Sequence, residues 1–279
     1  MDRNKTDILI AIATFREAEN IVKLIEDIRS QGLKNKILII NDYSNDNTEE
    51  LIKKLNNNND IIYLQRPKKL GLGTAHKLSI LYAIQNKFDY LLTMDADFSH
   101  DPIYINDLLK QSGENNFVIG SRFCDGAKSD YKGLRKIISI GGNKFAKKIL
   151  NIKINEITTY FRVYSVKLLK KLPYDELNAQ GYSMGVKLVW FMKKLNANLI
   201  EVPIHFKDRN FGKSKIPKLQ IFISFFDLLL IKFKELFKNQ IFYEDNKTYN
   251  LNLNCKKCNK KFFSLKKDKF ICIVCNERY

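Results

Sequence analysis

Nowhere in this sequence do 18 or more apolar residues run without a charge, so no segment is expected to cross a bilayer as a helix. No export signal is expected either. Met1–Asp7 is polar, and the apolar run Ile8–Ala13 is too short for a signal core with its flanks. Histidine is scarce: His76, His100 and His205 are scattered without ligand spacing, and none is expected to act in catalysis. Only His100 stands beside a candidate motif. Internal repeats are absent, and outside the last 25 residues Cys124 is the one cysteine, read as an ordinary buried thiol. Acidic residues are outnumbered, 30 against 48 Lys+Arg, for a net charge of +18. That excess favours polyanionic partners: nucleic acid, anionic lipid or phosphorylated substrates. A hydrophobic content of 45% with 12% aromatics excludes global disorder. The 279 residues have room for one sizeable α/β domain and something small.

The first half alternates short β-rich runs with helical patterns, as a mostly parallel sheet covered by helices does. Ile8–Ala13 is apolar without alternation, which predicts a strand buried on both faces. Ile21, Leu24, Ile25 and Ile28 follow at helical spacing. Lys36–Ile40 reads as a second strand ending in the polar turn Asn41–Asn47. Thr48 is expected to N-cap the next helix, which carries Leu51, Ile52 and Leu55. Ile61–Leu64 gives a third strand, and Thr74–Asn86 a helix after a Gly-rich turn. Tyr90–Met94 gives a fourth strand and Phe117–Gly120 a further one. From 220 to 238 the polar residues fall mostly on one stripe among Ile, Phe and Leu. That predicts an amphipathic helix, or two in sequence, packed on the domain or lying in a membrane interface. The expected organisation is an α/β catalytic domain over 1–215, amphipathic helices over 216–243, a linker over 244–254 and a cysteine module over 255–279.

Asp95-Ala96-Asp97 stands at the carboxyl end of the fourth strand, the edge where open α/β sheets bind ligands. Two carboxylates one residue apart can hold a divalent cation and the diphosphate of a nucleotide sugar. Further motifs accompany it. Ala13-Thr14-Phe15-Arg16-Glu17-Ala18-Glu19-Asn20 resembles the Pro-Thr-Tyr-Asn-Glu-x-Glu-Asn opening of inverting family-two glycosyltransferases. Asn41-Asp42-Tyr43-Ser44-Asn45-Asp46-Asn47-Thr48 resembles their Asp-Asp-x-Ser-x-Asp-x-Thr turn. Leu70-Gly71-Leu72-Gly73-Thr74-Ala75, Met94-Asp95-Ala96-Asp97-Phe98-Ser99-His100 and Gly120-Ser121-Arg122 narrow the resemblance to the dolichol-phosphate mannosyltransferase group. Arg135-Lys136-Ile137-Ile138-Ser139 and Asp208-Arg209-x-x-Gly212-x-Ser214-Lys215 fit that group as well.

The resemblance implies a GT-A (Rossmann-like) fold. It places Thr14, Glu17 and Asp42 on the nucleoside, Asp95, Ala96 and Asp97 along the nucleotide sugar, and Asp95, Asp97 and Ser99 around Mg²⁺ or Mn²⁺. Asp97, Arg122, Arg135, Arg209 and Lys215 are then expected at the reaction centre and the acceptor phosphate. A phosphate monoester has a second pKa of about 6 and is already a nucleophile at neutral pH, so no general base is expected. Arg suits such a site because it grips oxyanions bidentately. Departures from the family pattern are Ala13, Phe15, Arg16 and Asn41 on the donor side. Glu156-Ile157-Thr158-Thr159-Tyr160 before Phe161-Arg162, and Lys187, depart on the acceptor side.

Cys255, Cys258, Cys272 and Cys275 form two Cys-x-x-Cys pairs, the pattern of a tetrahedral Zn²⁺ site with four thiolates. So short a segment cannot bury a core of its own and would draw its stability from the metal. The function expected is sugar transfer from a nucleotide sugar (GDP-mannose, with a UDP-sugar as second candidate) to a polyprenyl phosphate. A cytoplasmic, peripherally membrane-bound protein is expected, with scope for a membrane-anchored partner subunit. Two other readings compete. One is transfer to a glycan or lipid hydroxyl, with Asp125 or Asp130 as base. The other is a non-catalytic zinc-ribbon binding protein, although dispersed charge and the lack of an RNA-binding aromatic pattern speak against a nucleic-acid partner.

Overall fold

The computed structural model describes residues 6–55, 60–173, 177, 182–207, 226, 228–230, 232–233, 263–266 and 269–272, with backbone alone for 134, 135, 182 and the segments beyond 233. Strands β1 (Ile8–Thr14), β2 (Lys36–Asn41), β3 (Ile61–Gln65), β4 (Tyr90–Asp95), β5 (Asn116–Ser121), β7 (Arg162–Ser165) and β8 (Asn198–Pro203) form one sheet. Its order is β3-β2-β1-β4-β7-β5-β8. Only β7 runs antiparallel to its neighbours. Two short strands, β6 (Lys128–Ser129) and β9 (His205–Phe206), pair beside it.

Strict side-chain alternation sends each apolar strand residue into one of two cores. Leu9 and Ala11 of β1, with Leu38 and Ile40 of β2, enter one core. Ile10, Ile12, Ile37 and Ile39 enter the other. A strand buried on both faces therefore reads as an unbroken apolar run. Helices α1 (Ala18–Ser30), α2 (Thr48–Leu55) and α4 (Ile105–Lys110) cover the second core through Ile21, Leu24, Ile25, Ile28, Ile52, Ile105 and Leu108. Helices α3 (Leu72–Gln85), α5 (Gly133–Leu150), α6 (Val166–Leu169) and α7 (Tyr182–Lys194) cover the first. Truncating any of these fully buried isoleucines to Ala would cost roughly 2–5 kcal/mol.

The chain winds outward from β1 to β3 with α1 and α2 on one face. It then returns across the opposite face through α3 to place β4 on the other side of β1. That reversal opens a crevice between the carboxyl ends of β1 and β4, where Ala13 lies beside Asp95. Thr48 is not the cap expected for α2. Its N–H and hydroxyl both donate to Asp46 Oδ1, at 3.3 and 2.6 Å, so the carboxylate two residues upstream satisfies the helix start. The helix expected from Thr74 begins earlier, at Leu72, behind Gly71, whose φ of +90° suits glycine.

The amphipathic segment lies mostly outside the described residues. Among those described, Leu228 packs into the first core while Phe226, Leu229, Leu230 and Phe233 are exposed. In the cysteine module, β10 (Phe263–Lys266) and β11 (Lys269–Cys272) form an antiparallel hairpin with Phe263 opposite Cys272. Cys255, Cys258 and Cys275, like Arg209 and Lys215, lie outside the described residues.

Candidate active site

The first part of the candidate site is built from loops at the carboxyl ends of β1, β2 and β4. Each holds a non-glycine residue at positive φ: Arg16 at 58°, Tyr43 at 67° and Phe98 at 61°. Such conformations are costly and persist where the surroundings enforce them. Here the enforcement is visible. Arg16 N–H donates to Ser44 Oγ at 2.7 Å, and Ser44 N–H donates to Asn41 Oδ1 at 2.9 Å, locking the β1 loop to the β2 loop. The Asn41 amide also donates to Tyr63 Oη at 2.8 Å, and Tyr63 in turn donates to Gln65. A carboxylate at position 41 could not donate there, which accounts for Asn in place of the family's Asp.

Thr14, at the end of β1, is buried, and its hydroxyl has no hydrogen-bond partner. Glu17 accepts from Asn20 Nδ2 at 2.7 Å at the start of α1. Asp42 turns toward the Gly-rich loop. It accepts from Leu70 N–H at 2.8 Å, Gly71 N–H at 2.7 Å and Arg66 Nη1 at 2.9 Å. Arg66 is itself buried and also donates to Thr74 Oγ1. Sequence reading missed Arg66, and the structure brings Asp42 to it as the fastener of the loop before α3.

At the end of β4, Asp97 Oδ1 accepts from both the N–H and the hydroxyl of Ser99, at 3.2 and 2.6 Å. The chain therefore folds back tightly after the Asp95-Ala96-Asp97 motif, and the Ser99 hydroxyl donates to that carboxylate. Asp95 keeps 29% of its side chain exposed, whereas Asp97 is buried. Among the described residues no three His, Cys, Asp or Glu side chains converge as a metal cage. Two hard carboxylates still fit Mg²⁺ or Mn²⁺, which take one or two carboxylates and complete their shell with waters and substrate phosphates.

His100 is fully enclosed. Its Nδ1 accepts the Asp95 backbone N–H at 2.9 Å, so its Nε2 carries the proton and donates to Thr159 Oγ1 at 2.8 Å. Burial lowers its pKa to about 3. The imidazole is neutral, and the 3.8 Å separation from the Asp95 carboxylate is no ion pair. His76 lies deeper, stacked on Tyr160 with ring centroids 3.8 Å apart, and burial holds its pKa well below the ordinary value.

The second part of the candidate site centres on Arg122, beyond the end of β5. Its Nε donates to Glu156 Oε2 at 2.6 Å, and its Nη2 donates to Glu156 Oε1 at 2.9 Å and Thr158 Oγ1 at 2.8 Å. The guanidinium also sits over the rings of Phe206, Phe123 and Tyr131, at 4.7, 5.1 and 5.6 Å. Glu156 is fully buried, and burial alone would raise its pKa. Arg122 and the Thr158 donors outweigh that and hold it below the ordinary carboxylate value. Thr159 N–H donates to Glu156 as well, at 3.1 Å. Arg162, fully buried on β7, ties the same segment down through Nη2 to the Ile157 carbonyl at 3.1 Å. A cleft of about 160 Å³ opens beside Arg122, lined also by Ser129, Tyr131, Lys136 and Ser139. Among the described residues no carboxylate lines it.

Sequence reading placed Arg122 here but gave no role to Glu156, Thr159 or Lys136. A lone carboxylate within the run Ile152–Ile157, whose isoleucines are buried, was the available signal, because a charge in such a setting needs a partner. Arg135 lies in α5, whose next residue Lys136 lines the cleft. The hydroxyl-acceptor alternative fares poorly. Asp125 and Asp130 are exposed, and Asp130 pairs with His205 at 2.7 Å.

Comparison with known proteins bears on the fold and the family. An undecaprenyl-phosphate mannosyltransferase of Micrococcus luteus is 29% identical over 211 residues, covering 75% of this chain and 87% of its own. A polyprenol monophosphomannose synthase of Mycolicibacterium smegmatis is 28% identical over 212 residues, covering 75% and 80%. The fold is that of solved GT-A enzymes. Glucosyl-3-phosphoglycerate synthase from Mycobacterium tuberculosis, crystallised with Mn²⁺, UDP and glucosyl-3-phosphoglycerate, superposes with a TM-score of 0.58 at 17% identity. That likeness covers 82% of this chain and 80% of the synthase. The family model for glycosyl transferase family 2 matches residues 9–173, more than half of the sequence. The chain belongs to glycosyl transferase family 2.

Proposed function

We propose that the chain transfers mannose, with inversion, from a nucleotide sugar to a polyprenyl phosphate. The observation that carries this reading is the cleft beside Arg122 and Lys136, which among the described residues no carboxylate lines and which is joined to the Asp95–Asp97 turn by one hydrogen-bonded network. A phosphate acceptor needs cations to position it and no base, since its second pKa is about 6. A hydroxyl acceptor would need a base, and the cleft offers none.

In this reading Thr14 and Glu17 face the nucleoside, and Asp42 shapes its loop through Leu70 and Gly71. Asp95 and Asp97 would hold Mg²⁺ or Mn²⁺ together with the diphosphate, with Ser99 bracing Asp97. The bound metal would neutralise charge on the departing nucleoside diphosphate. An acceptor phosphate oxygen, held by Arg122 and Lys136, with Arg135, Arg209 and Lys215 assigned to it by the family resemblance alone, attacks the anomeric carbon from the face opposite the leaving oxygen. One carbon–oxygen bond forms as the other breaks, and no proton needs removal. Mannose is supported by the names of the two polyprenyl-phosphate relatives, and GDP-mannose is the favoured donor over a UDP-sugar.

A peripheral site on the cytoplasmic membrane face, with a membrane-anchored partner subunit as an added support, is part of the same proposal. Exposed Phe226, Leu229, Leu230 and Phe233 beside buried Leu228 support a helix docked on one side and apolar on another. Among the described residues no helix is long and apolar enough to cross a membrane. We assign Cys255, Cys258, Cys272 and Cys275 to a structural Zn²⁺. The β10–β11 hairpin between the two pairs supports this, because such a turn brings sequence-distant thiolates together. The test is transfer of radiolabel from a panel of nucleotide sugars to short polyprenyl phosphates with Mg²⁺ or Mn²⁺. Organic-phase label lost on chelation is expected. Water-soluble product alone would support the hydroxyl-acceptor reading instead.

A further inference from the structure

We infer that His100 is a positioning residue that holds the donor carboxylates in register with the acceptor arginine. This rests on the proposed function for what lies on either side, and on geometry for the link. The path is continuous: Asp95 N–H donates to His100 Nδ1 at 2.9 Å, and His100 Nε2–H donates to Thr159 Oγ1 at 2.8 Å. Thr159 N–H donates to Glu156 Oε1 at 3.1 Å, and Glu156 grips Arg122 with both oxygens. A second link runs through a ring. Phe206 meets His100 edge-on at 5.7 Å and lies under the Arg122 guanidinium at 4.7 Å, while Phe161 stacks on the other side of the imidazole at 5.1 Å.

The two ends of this path are the groups that in-line transfer must hold apart by a fixed distance. Asp95 is on β4 and Arg122 follows β5, and β7 lies between those strands, so no backbone ladder joins them directly. The imidazole therefore supplies an acceptor for one side and a donor for the other in a single rigid plane. Misplacing a reacting group by about 1 Å can cost on the order of 10²-fold in rate. The neutral ring is the form this requires, because a protonated Nδ1 would face the Asp95 N–H donor to donor.

Asn and Gln separate the two contacts. Asn places an oxygen near the Nδ1 position and keeps the Asp95 contact alone, while Gln reaches toward Thr159. Thr159→Val removes the far acceptor without touching His100, and Thr159→Ser restores it. The experiment measures kcat, acceptor KM and nucleotide-sugar Kd in purified His100→Asn, Thr159→Val, Thr159→Ser and the His100→Asn/Thr159→Val double variant.

The expected result for His100→Asn and Thr159→Val is a loss of about 10-fold or more in kcat over acceptor KM, with donor Kd within about 2-fold of the wild type. Thr159→Ser should recover activity, and the double variant should be no worse than the poorer single. Wild-type kinetics in Thr159→Val, or a double variant that loses the product of the two singles, would overturn the inference. So would losses confined to donor Kd. If His100→Asn fails to fold, the Thr159 pair decides alone. A wild type that makes no polyprenyl-linked sugar but hydrolyses the donor would sink the functional reading instead, which is a separate outcome.

Discussion

The two halves of the site are made differently. The donor half is a set of loops at the ends of parallel strands, and its shape is carried by backbone: Ser44 locks Arg16, Asn41 locks Ser44, and Asp42 locks Leu70 and Gly71. The acceptor half hangs on one buried charge pair, Arg122 with Glu156, and on the segment Glu156–Thr159 that wraps it. The Asn41–Ser44 contact is close in sequence, whereas Arg16–Ser44 and Asp42–Gly71 span 28 and 29 residues, and their residues were legible because each stands in a motif of the family. A pair 34 residues apart leaves only two isolated charges for a reader to connect. Each half holds a buried charge pair, Arg66 with Asp42 and Arg122 with Glu156, and the donor half adds loop-to-loop hydrogen bonds to its pair.

The largest consequence should follow from Glu156→Ala. Removing one partner leaves the Arg122 charge buried and unpaired, a loss of roughly 3–5 kcal/mol in a denaturant titration. A loss below about 1 kcal/mol would mean that the acceptor half does not hang on its charge pair.

Arg122→Lys should be gentler on stability and sharper on chemistry. A lysine cannot fork onto both oxygens of Glu156, so the acceptor KM should rise about 10- to 100-fold with donor Kd little changed. Equal effects on both substrates would erase the division between the halves.

Acidification should strike the seam between them. His76 and His100 are held neutral by burial, below the ordinary value of 6.5. The unfolded chain thus takes up protons that the native one refuses, and stability is complete above pH 6.5 and declines below it. Each histidine contributes up to ~1.4 kcal/mol per pH unit. Glu156 is held below 4.5, so its contribution is complete above that value and fades as it protonates, steepening the decline. Thermal unfolding from pH 8 to pH 4 checks both breaks. A flat midpoint from pH 6.5 to 5 would contradict the buried neutral imidazoles.

Asn41→Asp should produce the smallest change. It restores the residue of the related turn but leaves Tyr63 without its donor, at a cost of about 1 kcal/mol. Thermal shift and donor Kd would register it.

Much of the fold was legible. Ile8–Ala13, Lys36–Ile40, Ile61–Leu64 and Tyr90–Met94 read as buried strands because both faces of that sheet are covered, and each was found within a residue or two. Alternating strands and helices predict a parallel sheet, while the order β3-β2-β1-β4 comes from the structure. The antiparallel insertion of β7 has no local signal, because its pairing is decided by tertiary contacts with β4 and β5. The Asp95-Ala96-Asp97 motif was visible from spacing. The role of His100 was not, since nothing in sequence shows that Thr159, 59 residues on, waits at its Nε2. Thr48 illustrates a smaller limit: Asp46 and Thr48 are both good caps, and only the fold decides between them.

The most direct test of the account is label transfer from GDP-[³H]mannose to a short polyprenyl phosphate, comparing the wild type with Asp97→Ala. The account predicts Mg²⁺- or Mn²⁺-dependent, organic-soluble label in the wild type, reduced by about 10³-fold in the variant as the metal and diphosphate lose their anchor. Undiminished transfer in Asp97→Ala, or transfer indifferent to chelation, would contradict it.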